Sequence, residues 1–221
     1  MAKGSGTSTA DASSVVSQRN LGVLISGRGS NLQALIDTIA TGELDARIAV
    51  VISNKADAAG LDRARAAGIE TLTISHRDYG VRADFDRAIA SALLERGVNL
   101  VCLAGFMRLI GTPILEAFPN AILNIHPSLL PAFPGVDAQA QAIAYGVKVS
   151  GVSVHLVTGE LDGGPIVLQA AVAVKDDDTP ETLSARILVE EHRIYPEAVK
   201  IILSRRWMLD ARRFVRLPGP P

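Results

Sequence analysis

Apolar residues fall into two alternating rhythms from Leu21 onward. Short unbroken runs (LGVLIS, ARIAVVIS, IETLTIS, VNLVCLAG and AILNIHP) have the length and β-branched content of buried strands. Between them lie stretches with helical spacing. In SNLQALIDTIATG the apolar positions Leu32, Leu35, Ile36 and Ile39 form one stripe, closed by Gly42. ADAAGLDRARAAG, RADFDRAIASALLERG and TPILEAFPN predict three further helices. Strands alternating with helices imply right-handed crossovers and a parallel sheet.

The second half changes rhythm. DAQAQAIAYG predicts a helix ending at Gly146. VSGVSVHLV and IVLQAAVAV predict strands joined by TGELDGGP, a turn-rich loop suited to antiparallel pairing. A long helix should follow, started by Thr179-Pro180, with a kink or break near Tyr195 caused by Pro196. The expected fold is α/β: a doubly wound, mainly parallel sheet with an antiparallel C-terminal extension. Residues 1–20, rich in Ser, Thr, Ala and Gly, are expected to be a disordered leader, and 21–221 one domain. RLPGPP reads as a terminator, and the arginines of the tail before it as a solvated edge.

Composition removes several function classes. A net charge of −1 leaves no broad basic field for nucleic acid or an anionic membrane. No apolar run reaches the roughly 18 residues of a membrane span. The single cysteine, Cys102, lies inside an apolar strand, so no disulfide can form within the chain and a reducing, cytoplasmic location is expected. The histidines, His76, His126, His155 and His192, have no partners at metal-ligand spacing, and no metal is expected.

Three segments can carry chemistry. In ISGRGSNLQ, Gly27 and Gly29 lie between a strand and a helix that Ser30 could cap. The unpaired N–H groups of a helix start suit a phosphate. The pattern is neither a full dinucleotide fingerprint nor a Walker loop, so an ordinary Gly-rich turn fits equally well. In ILNIHPSLLP, strand periodicity puts Asn124 and His126 on one face, at the carboxyl end of a strand where open sheets bind ligands. An amide and an imidazolium are both donors, and two converging donors suit an oxyanion developing on a carbonyl carbon; taken alone, such a pair fits better a histidine that satisfies a loop carbonyl and an asparagine that holds a turn. In GELDGGP, Asp162 is followed by two glycines that permit close approach, though in isolation a plain Asp-Gly turn is the stronger reading. His155 in VSVHLV reads equally as structural or as a participant. No protein nucleophile is evident: there is no G-x-S-x-G elbow, and Cys102 shows no sign of activation. An oxyanion site without a nucleophile fits direct transfer between two bound substrates.

Taken in order, ISGRGSNLQ, SNKADAAGLDRARAAGI, LAGFMRLI, ILNIHPSLLPAFPG and HLVTGELDGGPIVLQ resemble the phosphoribosylglycinamide formyltransferases of the folate-dependent formyltransferase family. The resemblance runs from about Leu21 to beyond Tyr195. It implies a catalytic trio of Asn124, His126 and Asp162. It also implies 10-formyltetrahydrofolate as formyl donor and the amine of glycinamide ribonucleotide as acceptor, in de novo purine biosynthesis. By the same resemblance Gly29, Ser30, Asn31, Leu32 and Glu191 meet the ribonucleotide. Arg82, Met107, Arg108, Leu109, Ile110 and Asn124 meet the folate. The expected partners are thus small molecules. One departure stands out: many relatives carry a histidine just after the Pro-Gly of this motif, where this chain has Val136-Asp137-Ala138-Gln139. Alternatives within the family are formyltetrahydrofolate deformylase and methionyl-tRNA formyltransferase. The first usually carries an N-terminal regulatory domain and the second a C-terminal RNA-binding domain, and neither is expected here. A noncatalytic nucleotide-binding module is the alternative from another class.

Overall fold

The apolar runs assemble into one seven-stranded sheet in the computed structural model, which describes residues 19–218. The chain order is β1 (Asn20–Ile25), α1 (Ser30–Ala40), β2 (Arg47–Ser53), α2 (Gly60–Ala66), β3 (Thr71–Thr73), α3 (Arg82–Glu95), β4 (Leu100–Leu103), α4 (Thr112–Ala117), β5 (Ile122–His126), α5 (Ala138–Tyr145), β6 (Val149–Leu156), β7 (Ile166–Ala173), α6 (Pro180–Leu203), β8 (Trp207–Asp210) and β9 (Arg213–Arg216). The sheet runs β3-β2-β1-β4-β5-β6-β7. The strands from β1 to β5 are parallel; β6 and β7 join antiparallel. The expected doubly wound fold with an antiparallel extension is therefore observed. The leader proposed for residues 1–20 falls almost entirely outside the described residues.

Alternation along each strand divides the core between the two faces. Val23 and Ile25 of β1 and Leu123 and Ile125 of β5 pack with α1 and α6. Leu24 and Ile122 pack on the other face with Phe85, Ile89 and Leu93 of α3 and Ile114 of α4. The order reverses at β1 and β4, so the carboxyl ends of β1, β4 and β5 stand side by side at the switch point where open α/β sheets bind ligands.

Local structure departs from the sequence reading at four places. Ser30 does not cap α1. The cap position is Gly29, in the left-handed conformation at φ 70°, with no side-chain hydrogen bond. A Cβ at Gly29 would lie 2.7 Å from Gly60 Cα, so the β1–α1 turn packs backbone to backbone on the start of α2. α2 itself begins only at Gly60, after the segment 55–59 has turned. α6 runs unbroken through Pro196. Proline removes one ladder donor, but Ile194, Tyr195, Ala198, Val199 and Ile202 are buried around it, and tertiary packing holds the helix. Thr179 caps α6 as expected, its side chain accepting from the Thr182 N–H. Finally, the arginine-rich tail forms the β8–β9 hairpin, with the Trp207 and Phe214 rings stacked at 5.1 Å.

Tyr195 ties the last helix to the carboxyl edge of the sheet. It is fully buried, and its hydroxyl donates to the Leu103 carbonyl at 2.9 Å, at the end of β4. Cys102 is also fully buried, and burial pushes its thiol up to about 12. A thiol so placed is inert as a nucleophile.

Candidate active site

β5 presents Asn124 and His126 on one face, and the antiparallel partner β6 completes the surface. Asn124 pairs with His155 and His126 with Ser153. Ser153 is a scaffold residue. Its hydroxyl donates to the Ser128 carbonyl at 2.7 Å and accepts from the Leu130 N–H at 2.9 Å, fixing the chain just after His126. Leu156 pairs with Leu123, so the β6–β7 loop leaves the sheet level with the start of β5. It then folds back to bring Asp162 to Asn124 and His126. Two features permit this return. Asp162 takes φ 50°, and Gly164 lies so close to the Leu156 carbonyl that a Cβ would overlap it.

Asp162 is the hub of the site. One carboxylate oxygen accepts from the Gly135 N–H at 2.8 Å and stands 3.5 Å from His126 Nδ1. The other accepts from Asn124 Nδ2 at 3.4 Å and stands 3.6 Å from His155 Nε2. Burial pushes the carboxyl upward. Interactions with His155, the hydrogen bond from Gly135 and the charge of His126 outweigh it, so Asp162 ionises below the usual carboxylate range.

The two histidines differ in which nitrogen is free. His126 Nε2 donates to the Phe133 carbonyl at 2.8 Å, since a carbonyl can only accept. Only Nδ1 therefore faces Asp162 and the cleft. His155 Nδ1 donates to the Leu156 carbonyl at 3.0 Å, so in the neutral ring Nε2 accepts from Asn124 Nδ2 at 3.1 Å. His155 thus fixes which way the Asn124 amide points. One Nδ2 proton is held by His155. The other makes only the long contact to Asp162 and can turn to a developing oxyanion. The sequence left His155 open between two readings. The signal that resolves it is its register opposite Asn124.

The Gly29 turn and Glu191, far apart in the chain, meet at the same end of the sheet. Asn31 is 7% exposed and donates from Nδ2 to Glu191 Oε2 at 2.6 Å, while its Oδ1 has no partner among the described residues. Gln33 N–H makes the bond to the Gly29 carbonyl that opens α1, so the N–H groups of Ser30, Asn31 and Leu32 belong to the unpaired helix start. The Leu32 side chain is fully buried in the core, so only its backbone can meet a ligand. Burial raises the Glu191 carboxyl, against the Asn31 hydrogen bond and the charge of Arg28. A raised folded value means that the folded state holds the proton more tightly. Glu191 then costs stability as pH rises from the unfolded value through the folded one. Glu191→Gln keeps an acceptor for Asn31 and removes that cost. Its melting temperature is expected to exceed the parent's by a few degrees at pH 8, at about 2–4 °C per kcal/mol for a chain this size. The gap should close toward pH 4, and calorimetry at the two pH values checks it.

The remaining predicted residues gather beyond β4. Met107 and Leu109 are exposed and Ile110 partly so, giving an apolar patch beyond the end of β4. The segment is held from two sides. Met107 N–H donates to Ser26 Oγ at 2.8 Å, and Arg82 Nη2 donates to the Leu109 carbonyl at 2.8 Å. Arg82 also lies 3.7 Å from the buried Asp86, whose carboxyl is raised by burial against the charges of Arg82 and Arg108 and a hydrogen bond from Gly111. Sequence reasoning missed Asp86. Its position four residues after Arg82 was the available signal.

A doubly wound sheet with an amide, an imidazole and a carboxylate at its switch-point edge, and no activated nucleophile beside them, defines a group-transfer enzyme. Residues 19–199 match the Formyl transferase family, and the chain belongs to it. It is similar to the phosphoribosylglycinamide formyltransferase of Escherichia coli (strain K12), with 44% identity over 193 residues, 87% of this chain and 88% of that protein. It is also similar to the crystal structure of glycinamide ribonucleotide transformylase 1 from Symbiobacterium toebii. There the TM-score is 0.91 and the identity 53%, over 96% of this chain and 100% of that one. The human trifunctional purine biosynthetic protein adenosine-3 is 50% identical over 182 residues, 82% of this chain. The chain spans only 18% of that relative's length.

Proposed function

We propose that the chain transfers the formyl group of 10-formyltetrahydrofolate to the glycine amine of glycinamide ribonucleotide, in de novo purine biosynthesis. The observation that carries this reading is the Asp162 hub, an ionised carboxylate touching an amide donor and an imidazole, with the Gly29 turn and Glu191 at the same sheet edge. The similarity to phosphoribosylglycinamide formyltransferases supports the choice of substrates.

The ribonucleotide phosphate sits at the start of α1, where unpaired N–H groups and the helix dipole favour an anion. Glu191 and Asn31 take its sugar hydroxyls. The pteridine end of the folate lies against Met107, Leu109 and Ile110, with Arg82 and Arg108 toward its glutamate. The amine attacks the formyl carbon, forming the new C–N bond. The carbonyl oxygen becomes an oxyanion, which Asn124 Nδ2 and a protonated His126 Nδ1 stabilise by donation. Asp162 stabilises that imidazolium and passes the amine proton toward the folate nitrogen as the old C–N bond breaks. The reaction uses no resident metal. A cytoplasmic location accords with a buried free Cys102, and no helix among the described residues is long and apolar enough to cross a membrane.

The discriminating experiment follows folate absorbance with and without ribonucleotide. Loss of formyl-folate is expected only when the amine-bearing ribonucleotide is present. Deformylation at full speed in its absence would replace transfer by hydrolysis.

A further inference from the structure

The loop that carries Asp162 is held from outside by the C-terminal hairpin. Asp210 pairs with Arg213, leaving Ala211-Arg212 as a two-residue tip. The hairpin itself is well seated. Trp207 Nε1 donates to the Ile202 carbonyl at 3.1 Å, and Trp207, Leu209 and Phe214 pack onto the core face under α6. β9 lies against β7. From the tip, Arg212 crosses to the β6–β7 loop. Its Nη1 stands 3.3 Å from Glu160 Oε2, and its Nη2 donates to the Gly163 carbonyl. Glu160 and Gly163 bracket Asp162, so one planar guanidinium spans the turn that presents the carboxylate. That turn needs support. Asp162 holds a left-handed backbone that residues with a side chain rarely adopt, and neighbouring Leu161 is 58% exposed.

We infer that the hairpin braces the catalytic loop and that Arg212 is a positioning residue for Asp162, an inference that rests on the role given to Asp162 above. The hairpin lies beyond residues 19–199, the span matched by the family. The brace is an exposed ion pair joined to a backbone hydrogen bond. It should therefore contribute little to global stability and act on local opening of the loop.

The test compares the full chain with Arg212→Ala, Arg212→Lys and Glu160→Gln, reading amide hydrogen exchange and steady-state kinetics. In Arg212→Ala, exchange over residues 159–164 should quicken while β1 and β4 stay protected. Turnover should fall about three- to tenfold at unchanged KM for the ribonucleotide, because small displacements of a catalytic group are costly. Lysine keeps the charge without the fork and should recover part of the loss. Glu160→Gln removes the charge of the contact from the loop side and leaves the hairpin untouched, so its result does not depend on the hairpin's folding; it should loosen the same amides to a smaller extent. Unchanged exchange over 159–164 in both Arg212→Ala and Glu160→Gln overturns the brace. Quickened exchange with parental turnover overturns the positioning role. Full activity in Asp162→Asn would instead remove the catalytic reading of Asp162, and the exchange data would still report on the brace.

Discussion

Asp162→Asn is expected to lower kcat by about 10³-fold, within the range for loss of a positioned acid–base group, with a much smaller change in ribonucleotide KM. Asparagine keeps the shape and one acceptor. The Gly135 N–H can still be satisfied, and the amide N–H₂ turns toward Asn124 and His155. What disappears is the negative charge between two imidazoles and the capacity to carry a proton. The pH profile supplies a second signature. In the parent, interactions with His155, Gly135 and His126 outweigh burial and keep Asp162 ionised below the usual carboxylate range. A depressed folded value contributes stability above the unfolded value, and that contribution is lost as pH falls through the folded one. The parent's stability advantage over Asp162→Asn should therefore shrink on acidification below about pH 4, the unfolded carboxylate value. Melting curves of both proteins between pH 7 and pH 3 test this. An advantage that grew on acidification would contradict the direction assigned to Asp162.

The second large effect is at the donors. Asn124→Ala removes the Nδ2 proton offered to the oxyanion and should cost about 10²–10³-fold in kcat. It also deprives His155 Nε2 of its partner. His126→Ala should cost a comparable factor. The double variant should lose less than the product of the two, since both groups serve one charge. Single-turnover rates of the four proteins decide it. Multiplying losses would mean that the two side chains serve separate steps, and near-parental turnover in either single variant would remove that residue from the trio.

How much of this was legible in the sequence depends on the range of the interaction. Strand and helix identities followed from period, and the same-face placement of Asn124 and His126 from alternation along β5. The role of His155 did not, because it depends on register between β5 and β6, which a single strand's pattern does not encode. The brace at Arg212 was equally hidden: WMLD and RFVR are short, and their arginines resemble any solvated edge until the Trp207–Phe214 stack is formed. At Pro196 local propensity argues for a kink or a break, and the burial of the helix around it excludes the break. Ser30 had the chemistry of a cap, but Gly29 occupies the cap position because its close approach to Gly60 tolerates no Cβ.

The pairing of Asn31 with Glu191 also has a consequence for biogenesis. The strands from β1 to β5 lie in the first 126 residues, so their pairing can begin while later segments are still being synthesised. The site proposed for the ribonucleotide cannot, because the carboxylate that Asn31 meets arrives only with α6, 160 residues later. Until that helix emerges, the face of Leu21, Val23, Leu123 and Ile125 has α1 but not α6 packed on it. A nascent chain at this stage is a sheet with one apolar side only partly covered, a form exposed to self-association and to chaperone capture. Docking of α6 ends that exposure and, in the same event, brings Glu191 to Asn31 at the site proposed for the ribonucleotide.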